Sequence, residues 1–97
     1  MFARVTTAQG KPEQLEAAIR TFKEQIGSTY KKMPGFKGSY FLVDRKSGKI
    51  MGIALWETEE SLRAINEAAT KIRGGVLQAA AATQPAAVEI YEVAAQF

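Results

Sequence analysis

Few residue types in this chain can carry chemistry, because its 97 residues include neither histidine nor cysteine. Their absence excludes imidazole bases, thiolate nucleophiles, disulfides and the usual zinc and haem ligands. The stretch GIALWETEESL, from Gly52 to Leu62, contains the only tryptophan, Trp56, directly before an acidic segment. Two carboxylates could form an acid–base pair, but Glu59 and Glu60 follow Thr58 and suit the start of a helix. This stretch therefore supplies an indole that either packs in a core or forms the wall of a ligand site.

Hydrophobic spacing predicts six elements in the order β-α-β-β-α-β. The first helix has one apolar face and ends at Pro34-Gly35, while Gly74-Gly75 predicts a kink, a break or a second short helix in the second helical segment. The four predicted strands lie in MFARVTTAQ, GFKGSYFLVD, KIMGIALWE and AAVEIYEVAAQF. We expect one domain over residues 1–97 with a ferredoxin-like α+β fold, in which both helices cover one face of an antiparallel four-stranded sheet.

Both faces of this sheet are predicted to be apolar, although helices can cover only one of them. Alternation along the second strand places Phe36, Tyr40 and Leu42 on one face and Phe41 and Val43 on the other. Along the third strand it separates Ile50, Ala54 and Trp56 from Met51, Ile53 and Leu55. The uncovered face needs a partner, and the same face of a second copy supplies one. We therefore expect a homodimer through the sheet, with Arg4 in an ion pair across the dimer to Glu89 or Glu92.

The net charge of +3 is unevenly distributed along the chain. Residues 1–50 hold ten basic side chains against four acidic ones, and residues 51–97 hold three against six. The basic excess either attracts phosphate or an acidic ligand, or forms a solvated rim; it consists of Lys31, Lys32, Lys37, Arg45, Lys46 and Lys49. No apolar run approaches the roughly 20 residues of a membrane span, and the N-terminal MFARVTT is too polar for a signal peptide. We expect a cytoplasmic protein without a membrane partner.

Two stretches, PGFKGSYFLVD and GIALWETEESL, together with the element order, resemble a known family. The chain is similar to the antibiotic-biosynthesis-monooxygenase-like (ABM) branch of the dimeric α+β barrel superfamily. The resemblance implies a dimeric α+β barrel. The family includes cofactor-free oxygenases of polyketide quinone precursors, quinol-type monooxygenases, haem-degrading enzymes and members without known activity.

The haem-degrading branch can be tested residue by residue. Its members resemble one another in an Asn on the first strand, a Trp on the second helix and a His further along that helix. The corresponding positions in this chain are Ala3, Ile65 and the neighbourhood of Gly75. All three differ, so the resemblance implies no haem.

The resemblance to the cofactor-free oxygenases implies monooxygenation of a small aromatic or quinol-type substrate in a pocket between sheet and helices, with no metal and no cofactor. This chemistry needs a water-poor pocket, a hydrogen-bonding group that positions the phenol, and a donor or cation that stabilises the phenolate. The residues that the resemblance implies for catalysis are Trp56, Asn66 and Arg73. Those that it implies for binding the substrate are Phe22, Tyr40, Arg63 and Tyr91.

Each candidate also has a structural interpretation. Trp56 would anchor the core at a strand end, and Tyr40 would lie in the core or an interface. Asn66 would face solvent on its helix, and Arg73 would contact the carbonyls of a helix end.

Two other functions fit the same fold. One is a non-catalytic dimer that binds a small hydrophobic ligand or is associated with stress. The other is RNA binding, because KGSYFLV partly matches the Lys-Gly-aromatic signature of RNA-recognition domains. That signature belongs on the third strand with exposed aromatic residues, whereas it lies here on the second.

Overall fold

The computed structural model describes residues 1–97, and its elements follow the predicted order. Four strands form one antiparallel sheet in the spatial order β2-β3-β1-β4. Single 3₁₀ turns at Pro12–Gln14 and Tyr30–Lys32 flank the first helix. The elements are β1 (Phe2–Gln9), α1 (Leu15–Ser28), β2 (Phe36–Val43), β3 (Lys49–Trp56), α2 (Glu59–Ala64), α3 (Asn66–Ala79) and β4 (Ala87–Glu92).

The helices lie on one face of the sheet and enclose one hydrophobic core, which confirms the ferredoxin-like α+β fold. Trp56, Leu15 and Leu62 are its largest fully buried side chains, one from β3 and two from helices. The N-cap at Thr58 is also confirmed, because its side-chain oxygen accepts a hydrogen bond from the Ser61 amide at 3.0 Å. This cap turns the chain sharply from the end of β3 into α2.

Alternation along β3 is as predicted, but Phe36 in β2 lies on the opposite face to the one expected. Phe36 pairs with Trp56 and Gly38 pairs with Leu55, so Lys37 is an extra residue that forms a β-bulge. Gly38 adopts a positive φ of 143°, which eases the bulge. The extra residue reverses the parity of the strand. Phe36 therefore packs with the core, together with Phe41 and Val43, while Tyr40 and Leu42 remain on the uncovered face.

The predicted interruption at Gly74-Gly75 is wrong, because α3 runs through both glycines without a break. The break lies instead at Ile65, between α2 and α3, where the backbone leaves the helical region. Glycine is a weak helix former rather than an obligate stop. Packing of Ala69, Ile72 and Val76 in the core holds the helix together on either side.

We predict that Gly74→Ala stabilises the protein by about 0.5–1 kcal/mol, because alanine is the better helix former and, apart from the backbone of its own helix and its chain neighbours, no atom lies within 4 Å of the added Cβ. The free energy of unfolding in urea measures this effect. Gly27→Ala in α1, which is equally open, should give a similar gain. A loss of stability in Gly74→Ala would contradict the helical environment described for this residue.

Candidate functional site

A cavity of about 60 Å³ lies between the sheet and helices α1 and α3. Its sheet side is built from residues of β1, β2 and β3 that face the helices: Arg4, Thr6, Ala8, Ser39, Phe41, Ile50, Gly52 and Ala54. Its helix side includes Phe22, Ile26, Tyr30, Ala69, Ile72, Arg73, Val76 and Leu77. Most of these side chains are apolar, so the space is a water-poor compartment of the kind that binds small organic molecules.

Aromatic rings form one apolar wall of this cavity. Phe22 from α1 stacks on Phe41 from β2, with ring centroids 4.6 Å apart and an interplanar angle of 24°. Opposite Phe22, Gly52 allows the ring to lie close to the sheet, because a Cβ added there would be in van der Waals contact with the ring at 3.6 Å. A planar ligand would therefore meet aromatic and aliphatic carbon on this side.

The polar groups of the cavity are Arg4, Tyr30 and Arg73, joined by the hydroxyls of Thr6 and Ser39. Arg4 is buried, and its Nη2 donates to the carbonyl oxygen of Leu62 at 3.0 Å and to Asn66 Oδ1 at 2.5 Å. Its Nε is buried without a partner. No carboxylate lines the cavity, so its formal charge is positive.

Burial shifts the pKa values of two of these groups. Desolvation lowers the pKa of Arg4, and the like charges of Arg73 and Arg63 lower it further. Desolvation raises the pKa of Tyr30, and the charges of Arg4 and Arg73 oppose that shift. Guanidinium groups stay charged in proteins, so the site presents two cations, and the raised pKa of Tyr30 keeps its phenol neutral at neutral pH.

Trp56 lies behind this site and does not line it. Its side chain is fully buried, and its ring meets Tyr30 edge-on at 5.1 Å and Phe36 at 5.3 Å. The indole Nε1 has no hydrogen-bond partner. The ring thus supports Tyr30 from the core side of the cavity.

The structure brings together only some of the residues implied by the resemblance. Phe22 and Arg73 line the cavity, and Asn66 reaches its edge through Arg4. Arg63 lies on the surface of α2, where its Nη2 is 2.7 Å from Glu59 Oε2.

Tyr40 and Tyr91 lie on the uncovered face of the sheet, away from the cavity. Both are about half exposed, at 59% and 51%. The Tyr91 hydroxyl donates to Glu89 Oε2 at 2.7 Å.

Sequence reasoning missed Arg4 and Tyr30 as site residues. The expected ion pair of Arg4 with Glu89 or Glu92 is wrong, because the Arg4 side chain points to the helices and bonds to Leu62 and Asn66. The alternation of β1 could have indicated this orientation, because Arg4 lies on the same face of the strand as Phe2 and Ala8, which contact the core. Tyr30 belongs to the apolar stripe of the first helix, where its phenol gave no sign of facing a cavity.

The residues present do not fit haem. The chain has no imidazole or thiolate to ligate iron. The structure also contains no group of three or more acidic, histidine or cysteine side chains that could hold a metal ion.

We predict that Tyr30 makes the protein less stable at high pH. The pKa of Tyr30 is raised in the folded state above its ordinary value of 10.0, whereas the unfolded chain ionises near that value. The contribution of the neutral Tyr30 phenol to the free energy of unfolding is fully present below pH 10. It is lost as the pH rises from there through the folded-state pKa. Urea unfolding between pH 9 and pH 11 should show this loss, and Tyr30→Phe should reduce it. Tyr40→Phe is the matched control, because it removes an exposed phenol and should leave the pH dependence unchanged. A pH dependence of Tyr30→Phe that equals that of the wild type would contradict the prediction.

Comparison with known proteins identifies the family. A family model described as antibiotic biosynthesis monooxygenase (ABM) matches residues 1–70. Two proteins of Mycobacterium tuberculosis are similar in sequence. Uncharacterized protein Rv2557 is 34% identical over 95 residues, which cover 98% of this chain and 42% of that protein. Uncharacterized protein Rv2558 is 32% identical over 73 residues, or 75% of this chain and 31% of that protein. The chain thus spans less than half the length of these relatives.

Solved structures share the fold at low sequence identity. A monooxygenase from the gene ActVA-Orf6 of Streptomyces coelicolor, in complex with Nanaomycin D, has a TM-score of 0.80 and 16% identity, covering 99% of this chain and 89% of that one. The heme-degrader MhuD of Mycobacterium tuberculosis, with two hemes in its active site, has a TM-score of 0.74 and 17% identity, covering 100% and 99%. With the family model matching most of the sequence and the same fold in these structures, the chain belongs to the antibiotic biosynthesis monooxygenase family.

Proposed function

We propose that the protein is a monooxygenase that oxidises a small aromatic or quinol-type substrate with molecular oxygen, without haem or metal. The observation that carries the proposal is the apolar cavity of an ABM-family chain with two guanidinium groups and no carboxylate. Such a compartment favours an electron-rich anion over its neutral parent, because cations surround it and little water competes.

The proposed reaction begins with an ionised phenol. One electron passes from the substrate anion to oxygen, which gives a substrate radical and superoxide. Their recombination forms a carbon–oxygen bond in a peroxide. Cleavage of the O–O bond, with loss of the hydrogen on the same carbon, leaves one oxygen atom as a quinone carbonyl and releases the other as water.

The side chains of the cavity have distinct proposed roles in this reaction. Arg73 lies against the substrate and stabilises negative charge as it moves to oxygen. Phe22 stacks on the aromatic ring of the substrate. Asn66 acts by holding the Arg4 guanidinium, and Trp56 by supporting Tyr30. Both are therefore proposed as positioning residues.

The cavity also limits the proposed substrate by size. Its volume of about 60 Å³ is small beside the roughly 300–1,000 Å³ of typical ligand sites. We therefore propose a substrate of one or two rings whose entry displaces the Phe22 ring from its position over Gly52.

Oxygen consumption with anthrone- and quinol-type phenols tests the activity. We expect uptake above the protein-free rate, and at least about a tenfold loss in Gly52→Val, whose side chain fills the floor opposite Phe22. Gly27→Ala is the matched control, because it adds a methyl group in an open part of α1. Oxygen consumption no faster than the autoxidation of the phenol alone would contradict the enzyme proposal. Retained ligand binding without uptake would favour the non-catalytic binding protein.

The uncovered face of the sheet supports a further part of the proposal, a homodimer. This face exposes Tyr40, Leu42 and Tyr91 together with the half-buried Met51, Ile53 and Leu55 of β3. Every residue of β4, an edge strand, is also exposed. A continuous apolar surface and an open edge of this kind are usually covered in solution. The same apolar face of a second copy, related by a two-fold axis, would cover this surface.

We predict that Leu42→Asp converts the dimer to a monomer, because two copies of the new charge would be buried in the interface. Sedimentation velocity measures the mass, and Lys23→Asp on exposed α1 is the control for the added carboxylate. Wild-type protein that stays monomeric at high micromolar concentration would contradict the dimer.

The structure gives less support to nucleic-acid binding. The exposed aromatic residues Tyr40 and Tyr91 share their face with Glu89, not with a basic patch. Lys31, Lys32 and Lys37 lie before or at the start of β2, and Arg45, Lys46 and Lys49 lie beyond its other end. An eight-residue strand of about 25 Å separates these two groups. None of the helices has the length and hydrophobicity that a membrane span requires.

The cytoplasmic location stays a prediction from the sequence.

A further inference from the structure

Arg4 is a buried cation without a carboxylate partner. Only 6% of its surface is exposed, and its hydrogen-bond acceptors are a carbonyl oxygen and a side-chain amide oxygen. Both are neutral, so they solvate the charge in part but do not neutralise it. Buried charges in proteins are normally paired, because removal of an ion from water is strongly unfavourable. This arrangement is therefore incomplete without a further group.

No anion pairs with Arg4 from the elements packed against it. Glu92 of β4 lies on the same face of the sheet as Arg4, but it is exposed and forms no ion pair with Arg4. Tyr30 approaches from the end of α1, and burial keeps its phenol protonated at neutral pH. Arg73 of α3 and Arg63 of α2 add like charge. Glu59, which pairs with Arg63, lies on the surface of α2. The anion that completes the site must come from outside the chain.

The cavity also lacks a base. Its titratable lining groups are Arg4, Tyr30 and Arg73, and none of them accepts a proton at neutral pH. A neutral phenol that entered would have no side chain to which it could give its proton. The ligand must therefore ionise in solution, or lose its proton to water on entry.

We propose that Arg4 makes this cavity a receptor for an aromatic oxyanion, a planar ring whose negatively charged oxygen is placed against the Arg4 guanidinium. Nη2 already donates to Leu62 and Asn66, and Nε is enclosed by protein. Nη1 makes no protein hydrogen bond and is not enclosed in this way, so it is the donor available to the ligand. Asn66 sets the orientation of the guanidinium plane. The ring of the ligand lies toward Phe22 and Phe41, on the apolar side of the cavity.

This inference deepens the proposed function, since it names the substrate class of the same cavity. Its test reads binding and not turnover, so the two proposals fail separately. Loss of oxygen uptake with oxyanion binding intact would overturn the enzyme alone. Oxygen uptake without any preference of the cavity for the oxyanion would overturn the role of Arg4 alone.

The test uses 4-nitrophenol, whose ionisation is seen directly in its visible absorbance near neutral pH. We expect the wild-type protein to lower the apparent pKa of the bound phenol by about 1 unit, because a cation within about 4–6 Å favours the charged form. Equilibrium dialysis at neutral pH should show 4-nitrophenolate binding at least about tenfold more tightly than 4-nitroanisole, its neutral analogue. 4-Nitrobenzoate in the same assay distinguishes a carboxylate from a phenolate as the preferred oxyanion.

Arg4→Met, which keeps the length of the side chain and removes its charge, should reduce both the pKa shift and the preference for the anion to the part that Arg73 supplies. Arg4→Lys should keep part of both, and the exposed Arg20→Met is the matched control that should change neither. Equal binding of 4-nitrophenolate and 4-nitroanisole by the wild type would overturn the proposal. So would an unchanged preference in a folded Arg4→Met. If Arg4→Met does not fold, the wild-type comparison and Arg4→Lys decide the matter.

Discussion

The guanidinium of Arg4 joins the sheet to the point where the chain passes from one helix to the next. Its Nη2 donates to Leu62, whose carbonyl lies in the last turn of α2, and to Asn66, the first residue of α3. The last carbonyls of a helix lack intrahelical partners, so this contact satisfies a group that would otherwise be buried and unbonded. The junction at Ile65 thereby stays fixed over β1, and α3 is set at the distance from the sheet that leaves the cavity open.

The cavity exists because several residues on the helix side of the sheet have small side chains. On the helix side the sheet carries Thr6, Ala8, Ser39, Gly52 and Ala54. On the other side the neighbouring residues of β3 are Met51, Ile53 and Leu55. Interiors are otherwise packed to crystal-like density. A floor of small residues beneath Phe22 and Ile72 therefore leaves space that larger side chains would have filled.

Sequence patterns predicted those features that depend on local chemistry. The alternation of β3, the N-cap at Thr58 and the element order all follow from residues that are close together in the chain. The bulge at Lys37 was not visible, because an inserted residue reverses strand parity without changing composition. The continuity of α3 through Gly74 was missed because core contacts outweigh a propensity difference of about 1 kcal/mol. Arg4 and Tyr30 were missed for a related reason: their importance arises from a cavity formed by residues far apart in sequence.

Trp56 shows how stability and function are connected in this fold. The indole is fully buried and its Nε1 has no partner, which is unfavourable for folding. Its edge contacts with Tyr30 and Phe36 offset that penalty by filling the end of the core. The same contacts hold Tyr30 toward Arg4 and the cavity. A residue that packs as core can therefore control a site that it does not line, because the rigid aromatic cluster fixes the position of the polar group in front of it.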